Sequence, residues 1–155
     1  MAQEMAFLGG TFDPVHCGHL VIAKAVAEKG GFDRVYLVPA ASPPHKCAAT
    51  ASAEHRLAML RLALENEPKL SICDLELRRE GPSYTVFTAK ALREQFGPEV
   101  GLNWIIGADM LAILHKWFKI EELLDMVHIL VAVRPPLDQQ MDEIFARLEG
   151  HFSPG

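Results

Sequence analysis

The chain has 155 residues, half of them hydrophobic, and a formal net charge of −5 at pH 7. A chain of this length and apolar content builds one hydrophobic core, so we expect a single domain over residues 1–155. The acidic balance and the scattered Lys and Arg residues argue against a nucleic-acid binder or a membrane-surface helix, and no apolar run approaches the roughly 18 residues of a membrane span.

The N-terminus and the cysteines favour a cytoplasmic protein. The opening stretch MAQEMAFLGG lacks the basic region and the long apolar region of a secretory signal. The three cysteines are odd in number and lack C-x-x-C spacing, which fits a reducing compartment better than a disulfide framework or a zinc site.

Short apolar runs alternate with amphipathic stretches along the whole chain. Runs that are nearly continuous in Val, Ile and Leu are typical of strands buried on both faces, as in a parallel sheet with flanking helices. The pattern therefore predicts an α/β fold with an open, mainly parallel, doubly wound sheet of about five strands, whose ligands bind beyond the carboxyl ends of the strands. In chain order the predicted strands and helices are MAFL, 19–29, RVYLVP, 53–65, LSICDLEL, 85–96, LNWIIG, 108–126, VHILVAV and 138–149.

The first predicted strand ends in the string GGTFDPVHCGHL. Gly9 and Gly10 tolerate positive φ and let backbone amides approach an anion, and the amides that open the next helix add positive potential. His16 and His19 are three residues apart, so in a first helical turn they share a face and can donate to one cluster of phosphate oxygens. Asp13 can accept a hydrogen bond that orients the turn. The alternative is a glycine turn with incidental histidines.

The stretch PAASPPHKCAATAS after the second predicted strand is long for a strand-to-helix connection, which indicates a functional or mobile loop. Its prolines hold the chain extended and present His45 and Lys46, although an isolated exposed lysine is ordinarily only solvated. The helix that follows has one stripe of leucines, with Arg56 and Arg61 off it, so we expect this helix to be scaffold.

Polar and aromatic residues also mark the later elements. In GPSYTV, Ser83 or Thr85 can cap the helix that begins there. Asp109 follows a buried strand, where a carboxylate either caps a helix or accepts the hydroxyls of a ribose. Trp117 lies among three basic residues in HKWFK, which is typical of a rim that receives an aromatic acid and a phosphate, whereas we expect Trp104 in the core.

Arg134 ends the last predicted strand in VAVRPP. A planar guanidinium at the carboxyl edge of a sheet suits a phosphate or a carboxylate. The alternative is an ordinary solvated arginine.

The string GGTFDPVHCGH resembles the signature of the HxGH nucleotidyltransferase superfamily, in the form found in bacterial nicotinate-mononucleotide adenylyltransferases. The strings P-P-H-K, S-Y-T and L-H-K-W resemble the same family, while the dinucleotide-binding and Walker A motifs are absent. The resemblance implies a Rossmann-like nucleotidyltransferase fold and transfer of the adenylyl group of ATP to nicotinate mononucleotide, giving deamido-NAD and pyrophosphate. ATP and nicotinate mononucleotide are the implied partners, and Mg²⁺ arrives with the nucleotide rather than at a dedicated protein site.

The resemblance also implies roles for individual residues. His16, His19 and Lys46 face the ATP phosphates and act in catalysis. Asp109 holds a nucleotide ribose, and Trp117 stacks on the nicotinate ring. The other implied substrate contacts are Gly9, Gly10, Thr11, Phe12, Asp13, Tyr84, Thr85, Gly107 and Arg134.

The resemblance covers residues 5 to about 149. The family normally continues into an I-S-S-T-x-I-R-like segment that contacts ATP, for which this chain has no counterpart. A mononucleotide-binding module with weak catalysis is therefore a second hypothesis. Another HxGH enzyme, such as a phosphopantetheine adenylyltransferase or a cytidylyltransferase, is a third, against which L-H-K-W and S-Y-T argue.

Overall fold

A computed structural model describes residues 3–41 and 49–133, together with positions 143 and 146. No helix in this part of the chain is long and apolar enough to cross a membrane. The described strands are β1 (Glu4–Gly10), β2 (Val35–Pro39), β3 (Leu70–Ile72), β4 (Gly101–Gly107) and β5 (His128–Ala132). The described helices are α1 (Cys17–Lys29), α2 (Ala53–Leu64), α3 (Thr85–Phe96), α4 (Ala108–Leu111) and α5 (Ile120–Leu124), with 3₁₀ helices at Leu75–Arg78 and Leu114–Lys116.

The described strands form one parallel sheet in the order β3-β2-β1-β4-β5. The chain winds outward from β1 to β3 on one side and then returns to place β4 beside β1. The strand order therefore reverses between β1 and β4. In open α/β sheets, ligands bind in the crevice that this reversal creates at the carboxyl ends of the strands.

Helices cover both faces of this sheet. Successive side chains of a strand point to opposite faces, and the neighbours Phe7 and Leu8 of β1 belong to two different hydrophobic clusters. One cluster receives Ala23 of α1 and Leu60 of α2, and the other receives Leu92 of α3. The prediction of a doubly wound, mainly parallel α/β sheet is confirmed.

The predicted strand LSICDLEL is only partly a strand. β3 ends at Ile72, opposite Leu37 of β2, and Leu75–Arg78 turns into a 3₁₀ helix. In the described sheet β3 pairs with β2 alone, and this pairing stops at Leu37, before β2 itself ends at Pro39. Leu75 then packs against the hydrophobic cluster that also receives Leu92 of α3. The apolar spacing that predicted a strand is compatible with this helical turn as well.

The prediction of one continuous helix over 108–126 was also wrong. It is divided into α4, the 3₁₀ helix Leu114–Lys116 and α5. Lys119 adopts a left-handed conformation with φ of 50°, which ends any continuous helix before α5. Of the predicted helix 138–149, positions 143 and 146 are described and both are helical.

Candidate functional site

A cavity of about 180 Å³ opens at the carboxyl ends of β1 and β4, where the strand order reverses. This volume lies below the roughly 300–1,000 Å³ of sites that enclose a drug-sized ligand, so the cavity suits one ring better than a whole nucleotide. The predicted site residues that line it are Gly9, Gly10, Thr11, Tyr84, Thr85, Gly107 and Trp117. Residues that line it without a predicted site role include Glu76, Ser83, Trp104, Met110 and Phe118.

Gly9 and Gly10 are not a turn with positive φ, so that prediction was wrong. Both residues belong to β1 and pair with Val38 and Pro39 of β2. They lack a side chain for steric reasons. A Cβ on Gly9 would lie 2.6 Å from Cζ2 of Trp104, and one on Gly10 would lie 3.1 Å from Cζ of Phe12.

The left-handed residue of the turn is Phe12, with φ of 52°. Its ring is 2% exposed and meets the His19 ring edge-on, with centroids 4.8 Å apart. Phe12 thus fills the space beside Gly10 and supports a histidine, and it is not among the residues that line the cavity. Such a conformation persists in a non-glycine residue only where its surroundings hold it.

His16 and His19 cap the start of α1 reciprocally. The Nδ1 atom of His16 accepts the Gly18 N–H at 3.1 Å, and the Nδ1 atom of His19 accepts the His16 N–H at 3.1 Å. A neutral imidazole that accepts at Nδ1 carries its proton on Nε2, so each ring is a donor through Nε2. The rings stack 3.8 Å apart at 25°. Two side-by-side donors at the positive end of a helix suit an anion.

Asp13 connects the first turn to the segment before α2. Its carboxylate accepts the N–H of Thr50 at 2.6 Å and that of Ala51 at 3.2 Å. It therefore orients the turn, as predicted, through contacts with backbone rather than with the cavity.

Arg56 is buried, although it lies off the leucine stripe of α2. It is 2% exposed, and its guanidinium donates to Thr11 O at 2.9 Å, Ala40 O at 2.7 Å and Ala51 O at 3.3 Å. These carbonyls belong to the turn after β1, the end of β2 and the approach to α2. One side chain thus holds three loops at the edge of the sheet where the cavity opens.

The start of α3 forms one wall of the cavity. The N-cap of α3 is Tyr84, and neither Ser83 nor Thr85 caps it as predicted. The Ser83 hydroxyl accepts the N–H of Ala41 at 3.1 Å, which fixes this wall to the end of β2. No side chain in the described residues caps α3, so its opening amides stand beside the cavity that Thr85 lines.

Aromatic rings line the cavity from two sides. Tyr84 and Phe118 stack with centroids 4.5 Å apart, and Phe87 supports both at 6.0 and 5.7 Å. Trp117 is half-buried in the same lining, and Trp104 is in the core, as predicted, with one edge at the cavity. The cavity therefore offers aromatic surfaces on which a flat ring can pack.

Asp109 follows β4 in the first turn of α4 and is exposed. The N-cap is Gly107, so Asp109 does not cap the helix. A Cβ on Gly107 would lie 2.5 Å from the Asp109 carboxylate, an exposed side chain that can move aside. Asp109 is not among the cavity-lining residues and stands next to them at the exposed edge.

Glu76 is the acid that sequence reasoning missed. It is 3% exposed, lines the cavity and accepts a hydrogen bond from the Thr88 hydroxyl at 2.8 Å. Burial raises its pKa to about 7, and the Thr88 hydrogen bond and Arg79 lower that pKa only in part. Nothing in the run LELRRE distinguishes this glutamate from a solvated one.

Lys46 and Arg134 lie outside the described residues. Within residues 3–41 and 49–133, no group of three or more His, Cys, Asp or Glu side chains could hold a metal ion.

The sequence profile of the cytidylyltransferase-like family matches residues 7–150 of this chain. A probable nicotinate-nucleotide adenylyltransferase of Serratia proteamaculans is 44% identical over 148 residues, which cover 94% of this chain and 67% of that protein. Another, of Oceanobacillus iheyensis, is 43% identical over 133 residues, covering 86% of this chain and 69% of that protein.

Solved structures share the fold. The nicotinic acid mononucleotide adenylyltransferase of Plasmodium falciparum, complexed with NaAD, superposes with a TM-score of 0.68 at 18% identity, covering 87% of this chain and 77% of that one. A putative nicotinate-nucleotide adenylyltransferase from Vibrio parahaemolyticus superposes with a TM-score of 0.67 at 21% identity, covering 96% and 82%. Both likenesses support the Rossmann-like nucleotidyltransferase fold.

Proposed function

We infer the reaction from one premise: this chain belongs to the cytidylyltransferase-like family, with nicotinate-nucleotide adenylyltransferases among its relatives. We propose that it transfers the adenylyl group of ATP to nicotinate mononucleotide, giving deamido-NAD and pyrophosphate. The observation that carries the proposal is the stacked pair of donors His16 and His19 beside an aromatic-lined cavity. The His19 ring contacts Phe12, which lies against the cavity-lining Gly10.

In this reaction an oxygen of the mononucleotide phosphate forms a bond to the α-phosphorus of ATP. The bond from that phosphorus to the bridging oxygen breaks, and pyrophosphate leaves. The protein contributes positioning and charge neutralisation and needs no nucleophile of its own. His16 and His19 donate to the ATP phosphates at the positive end of α1, and Lys46 adds positive charge there. Arg134 binds the mononucleotide phosphate.

The mononucleotide occupies the cavity in this proposal. Trp117 stacks on the pyridine ring, Tyr84 contacts the mononucleotide, and the opening amides of α3 beside Thr85 receive its anionic substituent. Asp109, at the exposed end of β4, accepts the hydroxyls of a ribose.

Mg²⁺ enters with ATP in this proposal. A hard cation of this kind usually keeps water and phosphate oxygens as ligands, so it needs few protein donors. Bound with the nucleotide, it would offset the negative charge that develops on pyrophosphate. We also propose that residues 1–155 form one nucleotidyltransferase domain and that the protein works in the cytoplasm.

A coupled pyrophosphate-release assay on the 155-residue chain tests the reaction. We expect His19→Ala to lower turnover by about 10²-fold or more, because a preorganised donor to the developing charge is lost. His128→Ala, an exposed histidine at the opposite end of the sheet, serves as the matched control and should keep full turnover. Unchanged turnover in His19→Ala would refute the proposal.

A substrate panel separates the rival functions. Phosphopantetheine in place of the mononucleotide, or CTP in place of ATP, should give no product. Tight mononucleotide binding with poor ATP affinity and no pyrophosphate release would instead identify a mononucleotide-binding module.

A further inference from the structure

Glu76 lines the cavity but has no part in the proposed reaction. It lies in the 3₁₀ helix Leu75–Arg78 and shares the cavity lining with Tyr84 and Trp117. An ionised carboxylate is costly to remove from water unless partners replace the lost hydration. The state of this carboxyl group therefore affects any charged ligand in the cavity.

The partners of Glu76 replace water only in part. The Thr88 hydroxyl donates to Oε1 of Glu76 at 2.8 Å and accepts from Nη2 of Arg79 at 3.1 Å. The same Nη2 lies 3.9 Å from Oε1 of Glu76. One hydroxyl and one cation at that distance leave the pKa of Glu76 at about 7, mainly because of burial. Both protonation states are therefore accessible near neutral pH.

Few other ionisable groups surround Glu76. Arg79 is the described cation that acts on it, and the nearby thiol of Cys73 has a pKa raised chiefly by burial. Tyr36 of β2 packs against the same hydrophobic cluster as Cys73, and Tyr84, at the start of α3, lines the cavity. Among the described residues, Glu76 is the one carboxyl group in the cavity lining.

We propose that Glu76 determines which pyridine mononucleotide binds: neutral, it favours the ring carboxylate of nicotinate, and ionised, it favours the uncharged carboxamide of nicotinamide. Two carboxylates in one apolar cavity cannot both ionise at low cost, so a bound nicotinate keeps Glu76 protonated. A neutral carboxyl group donates a hydrogen bond to a carboxylate, whereas an ionised one accepts the N–H of an amide. This inference rests on the proposed function.

Isothermal titration calorimetry of both mononucleotides tests the inference on the full chain between about pH 6 and about pH 8. Both ligands carry the same phosphate, so the ratio of their Kd values isolates the ring substituent. In the wild type we expect the preference for nicotinate to fall above pH 7, by up to about tenfold per pH unit. Titrations in buffers of different ionisation enthalpy should show proton uptake with nicotinate mononucleotide.

Glu76→Gln should make the Kd ratio independent of pH and abolish the proton uptake. Asp74→Asn is the matched control, because Asp74 pairs with Arg78 at 3.0 Å on the exposed side of the same segment, and it should behave as the wild type. If Glu76→Gln does not fold, Glu76→Asp decides the matter, since it keeps an acid and should keep a pH-dependent ratio.

The outcomes separate the two proposals. A Kd ratio that is constant with pH in the wild type, one that varies equally in Glu76→Gln, or one that is constant in Glu76→Asp would overturn the role of Glu76. Failure of the wild type to bind either mononucleotide would overturn the proposed function instead.

Discussion

Replacing Arg56 by methionine should destabilise the protein by about 3–5 kcal/mol. The substitution leaves three carbonyl groups without their charged donor, at Thr11, Ala40 and Ala51. A buried acceptor that loses its partner costs about 1–3 kcal/mol. Only the Ala40 bond is fully buried, so the other two carbonyls recover part of that cost from water. The sum is a large part of a typical stability of about 5–15 kcal/mol.

Urea denaturation followed by circular dichroism measures this loss. Arg56→Lys should lose less than Arg56→Met but remain below the wild type, because one ammonium cannot span the three carbonyls that the guanidinium reaches. Arg61→Met, on the exposed side of the same helix, should stay within about 0.5 kcal/mol of the wild type. Equal losses at Arg56 and Arg61, or a loss below about 1 kcal/mol at Arg56, would refute the reasoning.

Two further predictions concern the cavity. Burial raises the pKa of Glu76 from 4.5 to about 7, so the folded protein holds this proton more tightly than the unfolded chain does. The stabilisation from this proton is complete below pH 4.5 and is lost as the pH rises through 7, which lowers the free energy of unfolding by about 3 kcal/mol. The stability of Glu76→Gln relative to the wild type should therefore rise by about that amount between pH 4 and pH 8 in urea melts, and a constant difference would contradict it. Gly9→Ala should cost about 1–3 kcal/mol in thermal melts, because its Cβ would lie 2.6 Å from Trp104. Gly9→Ala combined with Trp104→Phe should recover part of the cost of the glycine substitution, and strictly additive losses would contradict the steric account.

Local patterns in the sequence predicted much of the fold and the pairing of the two histidines after β1. The continuous apolar runs of β1 and β4 indicated strands buried on both faces, and the structure has them paired in parallel at the centre of the sheet. The spacing of His16 and His19 predicted rings that share one face. The rings do stack, but His16 is the extended N-cap of α1, so local reciprocal capping brings them together rather than a shared helical turn. Predictions of this kind succeed because they depend on a few consecutive residues.

Residues whose role depends on distant partners could not be predicted in this way. Arg56 is buried by hydrogen bonds to carbonyls of Thr11 and Ala40, which the sequence places far from it. Glu76 lies in a stretch whose alternation is equally typical of a strand, and its burial depends on Thr88 of the following helix. In both cases the charge is typical of the surface, and only tertiary packing makes it internal.

The glycine pair shows how tertiary packing also changes the interpretation of a motif. Gly9 and Gly10 were predicted to form a turn with positive φ, but they are extended residues of β1 that make room for Trp104 and Phe12. Trp104 comes from β4, the strand beyond the reversal of the sheet order, so the requirement for glycine arises only when the two strands pair. We infer that these glycines shape the cavity for the ring. Under the proposed function, the donors for the phosphates are the side chains of His16 and His19 at the positive end of α1.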